Sequence, residues 1–151
     1  MSFRRLREIS AKDKELIIEE LKSILHPHGE IIFALIYGSL VTPGIARQYG
    51  DMDIALYVDS HSIRRAEYVL ESRIEAEIYR ALTLRGLNFP PPEVLIINKA
   101  PNHFLVKMFK GNFIILKGEE GPITDFIENV GNKSTDNFYF RMESLRELME
   151  G

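Results

Sequence analysis

Two aspartates separated by one residue, Asp51 and Asp53, open a stretch in which polar and apolar residues alternate. Alternation of this kind predicts a β-strand, and a spacing of two places both carboxylates on the same face of that strand. Carboxylates placed so close together repel each other unless a cation lies between them. Hard oxygen ligands suit Mg²⁺, which proteins hold through one or two carboxylates plus substrate phosphates. The pair therefore predicts a magnesium site.

A candidate phosphate-binding turn precedes the aspartates in the chain. The apolar run Ile31–Tyr37 predicts a strand buried on both faces, and Gly38-Ser39 ends it where a short helical turn is expected. Glycine lets a phosphate approach the backbone closely, helix N-terminal amides favour an anion, and the Ser39 hydroxyl adds a donor. A phosphate site beside a magnesium pair is suited to phosphoryl or nucleotidyl transfer.

Alternating strands and helices must hold these residues in place. Hydrophobic periodicity predicts four strands, at residues 31–37, 51–58, 93–97 and 113–116. The predicted helices are one of about fifteen residues capped by Ser10, then 62–84, 101–108, and two after Gly121 that break near Gly131, the last at about 136–149. This order predicts an α/β or α+β domain with a small mixed sheet, flanking helices and a C-terminal helical tail.

The length and composition predict a single domain over residues 1–151, with a core at about 11–117 and C-terminal helices at about 121–150. The chain is 45% hydrophobic and 27% charged, near the globular average. No apolar run approaches the roughly 18–20 residues of a membrane-spanning helix. The absence of cysteine excludes a disulfide scaffold, a thiolate metal site and a thiol nucleophile.

Charge and the remaining residue types narrow the expected partners. The net charge of −3 supplies no global basic field, so nucleic acid is not the expected partner. The basic N-terminus lacks the apolar region of a signal peptide, and together with the lack of cysteine this favours a cytoplasmic location. The four histidines follow no metal-ligand spacing, and we expect structural or exposed roles for them.

The order strand, Gly-Ser, helical turn, Asp-x-Asp, strand resembles the DNA polymerase β-like nucleotidyltransferases. It is most similar there to the minimal nucleotidyltransferases (MNT proteins), which are often paired with HEPN-domain toxins. The segments Gly44-Ile45-Ala46-Arg47 and Gly50-Asp51-Met52-Asp53 follow the pattern of that family, although the loop from Ser39 to Asp51 is one residue longer than usual. The resemblance implies that Gly38 and Ser39 hold a triphosphate. Arg47 is a candidate for a further phosphate contact.

The resemblance also implies a third acid on a later strand. Counting back from Asn98, the two acidic positions of the family fall on Glu93 and Ile96, and Glu93 keeps a carboxylate. The implied metal site is then Asp51, Asp53 and Glu93, with two Mg²⁺ ions and ATP or another nucleoside triphosphate as substrate. The resemblance also implies that these three acids are the catalytic residues.

The implied activity is transfer of AMP to a tyrosine hydroxyl of a partner HEPN toxin, which would make the chain an antitoxin. Two alternatives stay open at this point. One is a small-molecule adenylyltransferase of the antibiotic-modifying type. The other is a catalytically impaired binding module that neutralises its partner by contact alone. The chain could also form a homo-oligomer.

Overall fold

The computed structural model describes residues 9–42, 51–62 and 66–133. Four helices are present in these residues: α1 Ala11–Leu25, α2 Glu67–Leu84, α3 Asn102–Lys110 and α4 Glu120–Lys133. The strands are β1 Ile31–Tyr37, β2 Met52–Val58, β3 Pro92–Ile96 and β4 Phe113–Lys117. A 3₁₀ turn, Ser39–Val41, follows β1 directly, as the sequence predicts.

The strands form one mixed sheet in the order β3-β2-β1-β4. Strand β1 runs antiparallel to β2 and to β4, whereas β2 runs parallel to β3. The C-terminal end of β1 and the N-terminal ends of β2 and β3 therefore lie at the same end of the sheet. The mixed α/β architecture expected from the sequence is confirmed.

Helices cover both faces of the sheet. Helices α1 and α2 bury one set of strand residues, and α3 with α4 buries the other set. Strand β1 is fully buried from Phe33 to Ile36, which explains why it is apolar at every position. In β2 the even-numbered residues face α1 and α2, while Ala55 and Tyr57 face α3 and α4. Asp53 shares the odd-numbered face, so its carboxylate belongs to the α3 side of the sheet.

Two predicted helix boundaries were wrong. Helix α2 begins at Glu67 rather than at Ser62, because the Ser62 hydroxyl and backbone N–H both bond to Asp59 in a turn. Helix α4 continues through Gly131 to Lys133, where a break was predicted, since Ile123, Ile127 and Val130 anchor it in the core. The last predicted helix, 136–149, lies outside the described residues. None of the described helices is long and apolar enough to cross a membrane.

Candidate metal and nucleotide site

Three carboxylates lie close together at the end of the sheet where β2 and β3 begin. Asp51 directly precedes β2, Asp53 is its second residue, and Glu93 is the second residue of β3. Each offers an oxygen, and these three oxygens all lie within 4.8 Å of one another. Asp53 and Glu93 are aligned partners in the parallel pairing of β2 with β3. The structure thus brings together the three acids that the sequence analysis selected.

The alternation of β3 decides between the two candidate positions for the third acid. Ile96 is 4% exposed and packs in the core against α1 and α2, on the face opposite to Glu93. Its neighbours Leu95 and Ile97 pack on the α3 side, the face that Glu93 shares. Glu93, and not Ile96, therefore lies beside the two aspartates.

Backbone pairing fixes the start of β2 against the start of β3. The Met52 N–H donates to the Pro91 carbonyl at 2.9 Å, and the Met52 side chain is fully buried. Because Met52 is locked on both counts, its neighbours Asp51 and Asp53 project from the opposite face of the strand. Because Met52 is buried on one face of β2, the two aspartates that flank it share the other face.

Mutual repulsion and burial set the electrostatics of the site. Burial, with the charges of Glu93 and Asp51, raises the pKa of Asp53 from 3.8 to about 6. Burial, with the charges of Asp53 and Glu93, raises the pKa of Tyr37 to about 12. In the described part of the chain no Lys, Arg or His forms an ion pair with these acids. A cluster of hard oxygen ligands with excess negative charge has the composition of a Mg²⁺ site.

The Gly38-Ser39 turn packs directly against this cluster. Gly38 has φ +85°, in the region that favours glycine, and a Cβ added there would lie 2.6 Å from Asp53 Oδ2. A side chain at this position would strain the backbone and would also push the Asp53 carboxylate out of its place in the cluster. The predicted phosphate-binding turn and the predicted metal site are adjacent in space. Arg47 lies outside the described residues, so its predicted phosphate contact stays a prediction.

Two acids of α2 hold β3 in place, and sequence reasoning missed them. Glu75 Oε1 accepts a hydrogen bond from Val94 N–H at 3.2 Å, and Glu71 Oε2 accepts one from Ile96 N–H at 2.8 Å. Among the described strands β3 is the outermost on its side, so these N–H groups have no partner there among those strands. The only signal in the sequence is the i, i+4 spacing of two acids beside the apolar stripe of α2.

An aromatic pair flanks the acids on the β1 side. Tyr37 is the aligned antiparallel partner of Asp53, and its ring contacts Phe104 of α3 edge to face, with centroids 6.2 Å apart. The aligned residues Tyr37, Asp53 and Glu93 therefore cross three neighbouring strands. Nothing in the local sequence pattern around Phe104 indicates that its ring lies next to Tyr37, the strand partner of Asp53.

Comparison with known proteins gives a consistent assignment of fold and family. The family model for polymerase β nucleotidyltransferases matches residues 19–120, more than half of the chain. No curated protein sequence matches the chain. The MntA–HepT toxin–antitoxin crystal structure has 11% identity and a TM-score of 0.53, over 78% of this chain and 84% of that one.

Two further solved structures share the fold at similarly low identity. A toxin–antitoxin structure with AMP-PNP has 13% identity and a TM-score of 0.56, over 76% of this chain and 84% of that one. A crystal structure from Shewanella oneidensis has 12% identity and a TM-score of 0.52, over 82% of this chain and 84% of that one. At these identities the likeness concerns the fold.

Proposed function

The chain belongs to the polymerase β nucleotidyltransferase family, and from that premise we propose that it transfers AMP from ATP to a hydroxyl group. The observation that carries the proposal is the convergence of Asp51, Asp53 and Glu93 within 4.8 Å beside the Gly38 turn. A structural cluster of acids would not need a glycine turn packed against it. A phosphate subsite and a carboxylate cluster are together what nucleotidyl transfer requires.

We assign the three acids to metal binding and catalysis. Asp51, Asp53 and Glu93 would hold Mg²⁺, two ions in the full complement, which when bound would offset negative charge on the phosphates. Asp51 and Glu93 are exposed and Asp53 is half-buried. Their carboxylate oxygens can accept the proton that the attacking hydroxyl loses, with Glu93 the preferred acceptor.

In the proposed reaction the acceptor oxygen forms a bond to the α-phosphorus. The bond between the α-phosphorus and the bridging oxygen breaks, and pyrophosphate leaves. Gly38 and Ser39 would bind the outer phosphates through the backbone and the Ser39 hydroxyl, with Arg47 as a further phosphate ligand. The chain's own contribution is therefore to position the triphosphate and to take up one proton.

For the acceptor we propose a tyrosine hydroxyl of a partner toxin of the HEPN class. The support is the fold shared with MntA of the MntA–HepT toxin–antitoxin structure and with the toxin–antitoxin structure that contains AMP-PNP. We propose a single catalytic unit over residues 1–151 that acts in the cytoplasm. The chain would then silence its toxin by modification.

The test is incubation of the chain with α-labelled ATP, Mg²⁺ and a co-encoded HEPN-type protein. We expect label to appear on the partner with the wild type and to be lost with Asp51→Asn/Asp53→Asn. The matched control is Asp125→Asn, which makes the same chemical change at an exposed aspartate of α4. Tight partner binding without label transfer would contradict the enzyme and support neutralisation by contact. Label transfer to an aminoglycoside-type hydroxyl compound instead would support the small-molecule alternative.

A further inference from the structure

The side chain of Thr42 closes the turn that begins at Gly38. Thr42 Oγ1 donates a hydrogen bond to the Gly38 carbonyl at 2.7 Å, the usual length of a strong O–H···O bond. The two backbone hydrogen bonds of the same turn, Val41 N–H to Gly38 O and Thr42 N–H to Ser39 O, are both 3.3 Å long. These are beyond the usual range for N–H···O bonds. The hydrogen bond from the Thr42 hydroxyl is therefore the strongest one within the turn.

The hydrogen bond from Thr42 to the Gly38 carbonyl determines the direction of the Ser39 N–H. The Gly38 carbonyl and the Ser39 N–H belong to one planar trans peptide unit, in which the C=O and N–H bonds point in opposite directions. Because Thr42 holds the carbonyl inside the turn, the Ser39 N–H is directed away from the turn. On its other side Gly38 lies so close to Asp53 that an added Cβ would be 2.6 Å from Asp53 Oδ2, which places this peptide next to the acidic cluster.

We propose that Thr42 is a positioning residue for the nucleotide: its hydroxyl orients the Gly38–Ser39 peptide so that the Ser39 N–H can bind a phosphate of the triphosphate. The inference rests on the proposed function, because it assumes that Gly38 and Ser39 form the phosphate subsite. Thr42 itself contacts neither substrate nor metal in this proposal. It acts through the peptide that it holds.

The test compares Thr42→Val with Thr42→Ser. Valine keeps the branched shape and removes the hydroxyl, whereas serine keeps the hydroxyl. One intramolecular hydrogen bond has a net worth that corresponds to about a three- to tenfold change in an equilibrium constant. We therefore expect Thr42→Val to weaken Mg²⁺–ATP binding and to raise the KM for ATP about three- to tenfold, with a smaller change in kcat. Thr42→Ser should restore both values to within about twofold.

The matched control is Thr124→Val in α4. The Thr124 hydroxyl is buried and has no hydrogen-bond partner among the described residues, so the same substitution there should leave ATP binding unchanged. Stabilisation of the chain by Mg²⁺ alone, followed as a rise in Tm, should also be unchanged in Thr42→Val. That readout separates a misaligned phosphate turn from a damaged fold, because a damaged fold would weaken both.

The outcomes separate the two proposals. If the wild type neither binds Mg²⁺–ATP nor transfers label, the proposed function fails. If the wild type does so and Thr42→Val binds ATP equally well, the positioning role fails while the function stands. Equal loss of ATP binding and of the Mg²⁺ response in Thr42→Val, or no rescue by Thr42→Ser, would also overturn the positioning role.

Discussion

The two ends of β1 carry carboxylates in opposite electrostatic settings. At one end lies the acidic site, Asp51, Asp53 and Glu93, whose members face one another. At the other end lies the histidine cluster, which contains His28, Glu30, Glu77 and Lys117. In the acidic site burial and the charges of Glu93 and Asp51 raise the pKa of Asp53, whereas in the histidine cluster His28 lies between Glu30 and Glu77, and Lys117 lies near Glu30.

The histidine cluster is internally satisfied. His28 Nδ1 lies 3.1 Å from Glu30 Oε1, and its Nε2 lies 2.8 Å from Glu77 Oε2 of α2. Lys117 Nζ donates to the His28 carbonyl at 2.6 Å. Burial raises the pKa of Glu30, but hydrogen bonds from its own backbone and from His28, with the charges of His28 and Lys117, bring it below 4.5. This cluster joins α2 to the start of β1.

The contrast separates a cluster that stabilises the fold from one that we propose binds a ligand. The histidine cluster is stabilised by partners that the chain itself provides. The acidic site has a pKa of about 6 at Asp53 and no such partner in the described residues, so its charges lower the stability of the chain unless a cation binds. Repulsion of this kind, beside a glycine turn, indicates a ligand site.

The largest expected effect follows from removing one charge of the acidic site. Asp53→Asn should reduce nucleotidyl transfer at least about 100-fold, since charge stabilisation at such sites is worth several kcal/mol. In the absence of divalent cation the same variant should have a higher Tm than the wild type at pH 8, because one repelling charge is gone. Enzyme assay and thermal denaturation of the same samples check both. A lower Tm would mean that Asp53 stabilises the fold, and the contrast would fail.

The sequence was sufficient to predict those parts of the fold and of the site that a local pattern determines. Strand β1 has the predicted bounds, Ser10 caps α1 by accepting from Asp13 N–H at 3.1 Å, and Glu93, the position of the two that keeps a carboxylate, lies beside the aspartates. Each of these depends on periodicity or on a residue a few positions away.

The parts that could not be predicted depend on residues far apart in the chain. Glu71 and Glu75 reach backbone groups of β3, and His28 reaches Glu77 across 49 positions of sequence. Thr42 makes a short-range contact, yet its importance emerges only from the 3.3 Å lengths of the neighbouring backbone bonds. Side-chain contacts of these kinds leave no period in a sequence, so pattern analysis misses them.

The second effect concerns Mg²⁺ and pH. Because the pKa of Asp53 is raised from 3.8 to about 6, its contribution to stability is present below pH 3.8 and lost as the pH rises through 6. Mg²⁺ at about tenfold excess over its Kd should raise the Tm by about 3–5 °C at pH 7.5, and by much less at pH 5, where protonated Asp53 opposes binding. Thermal denaturation with Mg²⁺ or with matched NaCl measures this. An equal rise at both pH values would show that Mg²⁺ binds elsewhere.

The smallest effect tests the other end of β1. His28→Gln replaces the two ring nitrogens that contact Glu30 and Glu77 by a single amide nitrogen, and loss of one hydrogen bond of this kind should lower the Tm by about 2–4 °C. His103→Gln, at an exposed position of α3, is the control and should have no effect.

The stability that the lowered pKa of Glu30 provides is present above pH 4.5 and lost on acidification, so the difference between His28→Gln and wild type should shrink below that pH. The Mg²⁺ response should be intact in both variants, since the histidine cluster lies at the far end of β1. Loss of that response in His28→Gln would show that the two ends are coupled and that the division between them is wrong.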